Sequence, residues 1–309
     1  MIIRLGYVAI CKTLNLSASK TITYSNYKKL GESAEAKMDS IIKENFKILK
    51  DILKFNYDND IYFYRMSHKL IPLATHDLVD YDYVSCYRKN FLEIGNLIKK
   101  YGIRVDTHPD QFCVLNSDKR KVVADSINIL RFHSILFKNM GIDGKTVLHV
   151  GGAYGDKGEA LIRFKENFRL LDDALKRMII LENDDKIFDM VDVLNLCEEL
   201  DIPMVLDYHH YKCCNNGEDI ERYLPRILNT WKGCKAKMHF SSPKNSKEKR
   251  NHSDYINVKD FIDFLNILKK FDTDIDVMLE CKEKDEALFR LIRQLKYYGF
   301  NVVGTSIIL

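Results

Sequence analysis

Eight short runs of β-branched and apolar residues, each followed by a segment of helical periodicity, constrain this chain more than any other feature of its sequence. The runs fall at Ile2–Ile10, Ile61–Met66, Ile103–Thr107, Thr146–Val150, Met178–Leu181, Ile202–Leu206, Ala236–Phe240 and Ile275–Leu279. Several are apolar without alternation, the mark of parallel strands covered on both faces. In the first intervening segment Met38, Ile41, Ile42, Leu49, Ile52 and Leu53 share one helical face. Later helical segments are expected at Phe91–Tyr101, Ser126–Met140, Phe164–Leu175, Met190–Leu200, Ile220–Trp231, Val258–Phe271 and Glu283–Tyr298, with Gly102 and Gly141 placed to stop two of them. The pattern predicts an α/β chain folded as one (β/α)₈ TIM barrel over residues 1–309, with its active site at the C-terminal face of the strands. An open doubly wound sheet fits the same alternation and is the rival architecture.

Composition matters here for what it excludes. The content is 46% hydrophobic and 30% charged, ordinary for a soluble globular protein. No apolar run approaches the ~20 residues that cross a bilayer, so no membrane role is expected. The eight cysteines lack regular spacing, Cys213 and Cys214 are adjacent, and Met1–Tyr7 reads directly as a strand rather than a secretory leader. Free thiols in a reducing, cytoplasmic setting follow. A formal charge of +4 permits a polyanionic partner without requiring one.

Seven of the nine histidines, His76, His108, His149, His209, His210, His239 and His252, lie at the end of an expected strand or in the loop beyond it. Only His133 lies within a helical segment, and His68 closely follows the second strand. Glu182, Asp207 and Glu280 likewise close three apolar strands. A carboxylate in such a place is costly unless paired, hydrogen-bonded or metal-bound. Their convergence with the imidazoles supplies the mixed nitrogen and oxygen ligands suited to Zn²⁺ or Mn²⁺, in numbers that imply more than one ion. Closely spaced ions suit displacement at phosphorus.

Asp207 and His210 are three apart, so in an extended segment they face opposite sides and serve different ions unless a local turn intervenes. Lys237 and His239 are two apart and should both point into the barrel, where a lysine needs an acid or some other explanation. The loop Gly151–Gly158 can cradle a phosphate or simply turn into a helix. Lys244, Lys247, Lys249 and Arg250 can grip a nucleic-acid backbone or form a solvated loop.

The ordered set Arg4-Leu5-Gly6-Tyr7, Pro72-Leu73-Ala74-Thr75-His76, His108-Pro109-Asp110-Gln111-Phe112, His149-Val150-Gly151-Gly152-Ala153-Tyr154-Gly155, Leu181-Glu182-Asn183-Asp184-Asp185, Asp207-Tyr208-His209-His210, Lys237-Met238-His239 and His252-Ser253-Asp254-Tyr255 resembles the UV damage endonuclease family. That family is a TIM-barrel relative of endonuclease IV and nicks DNA immediately 5′ to ultraviolet photoproducts. The resemblance implies a cluster of three divalent ions, manganese foremost, with zinc or magnesium as alternatives. His108, His149 and Glu182 would surround one ion. Glu182 would bridge to a second held by Asp207, His239 and Glu280, and His210 and His252 would hold the third. Lys237 would be carboxylated on its amine and so become an anionic ligand. Glu182, Lys237 and His76 would be catalytic, with His76 near the scissile phosphate.

Tyr7, Gln111 and Phe112 match positions implicated in gripping the lesion. Some members carry tyrosine at the position of Phe112 and asparagine at that of Cys11. The partner implied is UV-damaged double-stranded DNA, bound by a monomer. The rivals are an abasic-site endonuclease with the same cluster, a metal-dependent sugar isomerase, and a non-catalytic DNA-binding protein that kept the fold.

Overall fold

The computed structural model describes residues 1–309. The alternation produces eight parallel strands: β1 (Ile2–Val8), β2 (Phe63–Arg65), β3 (Arg104–Thr107), β4 (Lys145–His149), β5 (Ile179–Glu182), β6 (Met204–Asp207), β7 (Ala236–Phe240) and β8 (Ile275–Leu279). Each pairs with the next in sequence, and β8 pairs with β1 from Ile3↔Ile275 to Tyr7↔Leu279. The sheet is therefore closed, and the open doubly wound alternative is excluded. Closure places the ends of all eight strands on one rim, which is what gathers residues so distant in sequence.

The intervening helices bury their apolar stripes against the strands. The helix Ala34–Asp58 buries Met38, Ile41, Ile42, Leu49, Ile52 and Leu53 as its spacing requires. Gly102 and Gly141 end the helices Arg88–Tyr101 and Arg120–Met140 in the left-handed conformation, at φ 64° and 62°. The expected helix Phe164–Leu175 is instead two, Lys157–Arg169 and Asp173–Met178. Asp172 breaks the run because its side chain accepts from Leu175 N and starts a new helix. Met178 thereby leaves the strand it was expected to begin.

A further departure is a C-terminal hairpin, Asn301–Val303 with Ser306–Ile308, which pairs antiparallel to the start of β1. β1 and β2 pair only at Tyr7↔Tyr64 and Val8↔Arg65, and the hairpin fills the space below them. Thr305 ties it to the chain entering β2, donating from Oγ1 to Asp60 O at 2.6 Å.

The barrel lumen carries charge where branched apolar side chains are usual. Near the strand starts, the buried Asp276 accepts from Arg4 at 2.6 and 2.7 Å and from Arg104 at 2.9 Å. Above it, Lys237 is buried against Asp106, and Arg65 also approaches Asp106. These pairings satisfy ions that would otherwise be prohibitively costly to bury. They also form the floor of the rim where the histidines converge.

Candidate metal centre

Glu182 ends β5 and is buried at the middle of the rim. Its Oε1 lies 2.8 Å from His239 Nδ1, and its Oε2 lies 3.4 Å from His108 Nε2 and 3.6 Å from His149 Nε2. Two donor groups result, His108–His149–Glu182 and Glu182–Asp207–His239–Glu280, and they share Glu182. Neighbouring carbonyls orient two of the rings. His108 Nδ1 lies 2.8 Å from Pro109 O, and His210 Nδ1 lies 2.9 Å from Asn183 O. A ring that donates from Nδ1 leaves Nε2 free to ligate.

The residues fit divalent ions. Glu182 Oε2 and Asp207 Oδ2 are both buried without any hydrogen-bond partner, as is His149 Nδ1. Carboxylate oxygens desolvated in this way need a cation. The local electrostatics point the same way. Burial raises the Asp207 carboxyl to about 6, although His210 opposes the shift. Burial would lower His210, but Asp207, Glu182 and Glu280 together carry it up to about 9. Glu182 is penalised by burial yet held well below the usual carboxylate range by His239 and His149.

The spacing of Asp207 and His210 is settled by a local turn. Asp207 caps the short helix Tyr208–Cys213, its Oδ1 accepting from His210 N at 2.7 Å. The turn returns the His210 ring to the cluster, 3.4 Å from Glu182 Oε1 and 3.8 Å from Asp207 Oδ2. His210 and His252 are neighbours, with ring centroids 6.2 Å apart, but no third group of converging donors forms around them.

The model of the UV-endonuclease UvdE family matches residues 3–308. The chain belongs to this family. The UV DNA damage endonuclease of Bacillus velezensis is 40% identical over 302 residues, covering 96% of this chain and 94% of that one. That of Bacillus cereus strain B4264 is 38% identical over 301 residues, covering 96% and 95%. Among solved structures SacUVDE superposes with a TM-score of 0.88 at 33% identity, covering 96% of this chain and 99% of that one. Endonuclease IV from Thermus thermophilus gives 0.58 at 12% identity, covering 95% and 99%, and shares the fold. As a member of this family the chain is a DNA repair endonuclease, built on a TIM barrel.

A cleft of about 800 Å³ opens beside the ligand clusters, lined by Gln111, Phe112, His149, His210, Arg250 and His252 among others. Phe112 is 76% exposed, so it does not pack on its own loop. Gly151 and Gly152 form part of the wall. Gly151 has φ 116°, and a Cβ there would sit 2.2 Å from Asn116 Oδ1. The loop approaches that closely because Asn116 Nδ2 donates to Gly152 O at 2.8 Å.

Three expected site residues are placed differently. Tyr7, expected to grip the lesion, is fully buried. Its hydroxyl donates to Asn56 Oδ1 at 2.8 Å and its ring packs on Tyr64, so it belongs to the barrel core. Lys237 lies outside both ligand groups because Asp106 holds its ammonium; burial, with Arg65 nearby, lowers it to about 8. His76 stacks on Tyr24 with centroids 4.2 Å apart and lines a separate cleft with His68 and Asp110. Cys11 is also buried, its thiol 3.6 Å from Asp285.

Sequence reading passed over Arg65 and Asp106. The signal was present: Arg65 is a lone charge in a short strand-like run, as Lys237 is, and Asp106 lies two residues after Arg104 in another.

Proposed function

We propose that the protein hydrolyses the phosphodiester immediately 5′ to ultraviolet photolesions in double-stranded DNA, using a multinuclear centre of divalent ions. The observation that carries this reading is Glu182, a buried carboxylate shared by two ligand groups, with one oxygen lacking any partner. His108, His149 and Glu182 would hold one ion, and Glu182, Asp207, His239 and Glu280 a second. His210 and His252 would hold a third ion. The family resemblance puts manganese first, and the imidazole and carboxylate ligands also admit zinc and magnesium. Bound there, such ions acidify a water and neutralise charge developing at phosphorus.

The chain's own residues supply placement. Arg250, lining the cleft, is set by Asp185 at 2.5 Å and can meet a backbone phosphate. Phe112 offers a free ring face to stack where damaged bases leave the helix, and Gln111 can fill the same gap. Photolesions stack poorly, so their extrusion costs less than that of intact bases, and selectivity follows from deformability. His76 would contact the strand beside the centre. Carboxylation of Lys237 remains part of the reading, supported by an amine already lowered to about 8 and therefore partly neutral near neutrality. The enzyme would act as a cytoplasmic monomer; no helix is long and apolar enough to cross a membrane.

The test uses Mn²⁺ and three duplexes, carrying a cyclobutane dimer, an abasic site or no lesion, with the nick mapped to the nucleotide. A nick 5′ to the dimer is expected. Cleavage confined to the abasic duplex would transfer the protein to the abasic-site class, and no cleavage at all would end the nuclease mechanism proposed.

A further inference from the structure

Arg65 ends β2 and is 5% exposed, buried among three charged or ligating groups. Its Nη1 reaches Glu280 Oε1 at 2.5 Å, its Nε lies 3.4 Å from Asp106 Oδ1, and its Nη2 lies 2.7 Å from His239 Nε2. Asp106 in turn holds Lys237. Residues from β7, β3 and β2 and the one that follows β8 thus alternate in sign from Lys237 through Asp106 and Arg65 to Glu280.

We infer that Arg65 is the positioning residue for Glu280, and through it for the second ion of the centre; the inference rests on the metal-centre reading above. Glu280 lies just past the end of β8, where the strand no longer restrains it, and it needs an anchor to point one oxygen at an ion. The guanidinium provides that anchor because its rigid planar fork faces Glu280 and Asp106 through separate nitrogens, a geometry that a freely rotating ammonium does not fix. Asp106 makes the arrangement tolerable near a dication. It faces Arg65 as well as Lys237, so it offsets part of the charge that the guanidinium presents to the ion. An ion held by His239 Nδ1 would leave the proton on Nε2, so the Arg65 contact with that ring would open while those with the two carboxylates persist.

A pure repulsion between Arg65 and the ion predicts the opposite result on substitution, so the sign of the effect decides. Mn²⁺ binding to metal-free protein is followed by calorimetry and by the electron paramagnetic resonance of free Mn²⁺, for the wild type, Arg65→Met and Arg65→Lys. One class of site should weaken about 10- to 100-fold in Arg65→Met, the usual scale for losing a group that orients a ligand, and less in Arg65→Lys. A second class, carried by His108, His149 and Glu182, should keep its affinity. Unchanged or tighter binding in Arg65→Met overturns the inference, as does an equal loss from every class. Should Arg65→Met fail to fold, Arg65→Lys decides by the same criteria. A wild type that binds no Mn²⁺ would refute the metal centre itself, a result distinguishable from either variant outcome.

Discussion

Glu182 meets His239 at 2.8 Å between Oε1 and Nδ1, while its Oε2 faces His108 and His149 with no hydrogen bond of its own. One carboxylate therefore joins two sets of ligands. Glu182→Gln keeps the shape but removes the charge and one acceptor. Nicking of a dimer-containing duplex should fall by about 10²- to 10³-fold or more, on the scale of losing a group aimed at developing charge. Lesion binding in a gel-shift assay should persist. Normal nicking by this variant would show that Glu182 is not the bridging ligand.

Metal removal should also register in stability. Glu182, Asp207 and Glu280 converge in one ligand group, so an ion that binds only the folded chain stabilises it by mass action. At a free Mn²⁺ concentration 100 times the Kd the gain is about 2.7 kcal/mol. Thermal melts with excess EDTA and with Mn²⁺ should differ accordingly, whereas equal melting temperatures would argue against ion binding.

Phe112 is exposed beside the ligand groups and contributes little to packing. Phe112→Ala should leave the melting temperature within error. It should weaken binding to the dimer duplex by about 5- to 150-fold, corresponding to the 1–3 kcal/mol of one base stacked on an aromatic ring. Affinity for undamaged duplex should change far less, and a loss shared equally by both duplexes would remove Phe112 from lesion recognition.

Gly151 adopts φ 116° and stands where a Cβ would strike Asn116 Oδ1. Gly151→Ala should cost about 1–3 kcal/mol through strain and overpacking, measured by urea denaturation. Because Asn116 supports the cleft wall, the substitution should lower nicking more than Gly155→Ala, where no atom lies within 4 Å of the added carbon.

His133 lies inside the helix Arg120–Met140 with Nδ1 2.7 Å from Thr107 Oγ1, and burial pushes its imidazole down to about 3. An unfolded histidine titrates near ~6.5, so between these values the unfolded state binds the extra proton. Stability should therefore rise with pH from about 3 to 6.5, by up to about 1.4 kcal/mol per pH unit, and the penalty is absent above that window. His133→Gln should flatten this dependence relative to the wild type in denaturant melts at pH 4 to 7. Parallel profiles would mean that His133 is not the residue responsible.

Strand and helix periodicity were decided by the sequence itself, since each element's apolar pattern is local: Met38 to Leu53 define one helical face wherever that helix packs. The carboxylates and most of the imidazoles of the centre were legible for the same reason, because a polar residue ending an apolar strand is a local anomaly. Closure of the sheet, the pairing of β8 with β1, was decided only in three dimensions, and with it the convergence of His108 and Glu280. The C-terminal hairpin escaped notice because its strands are three residues each and acquire meaning only by filling the space under β1 and β2. Tyr7 looked like a lesion contact by its place in a motif, yet strand alternation and the partner Asn56 turn it into the core. Lys237 looked anomalous until Asp106, 131 residues away, supplied its counter-ion. Sequence determines where charge is out of place along the chain; only the folded barrel decides which opposite charge or ion it meets, because burial makes that partner obligatory and topology alone brings it near.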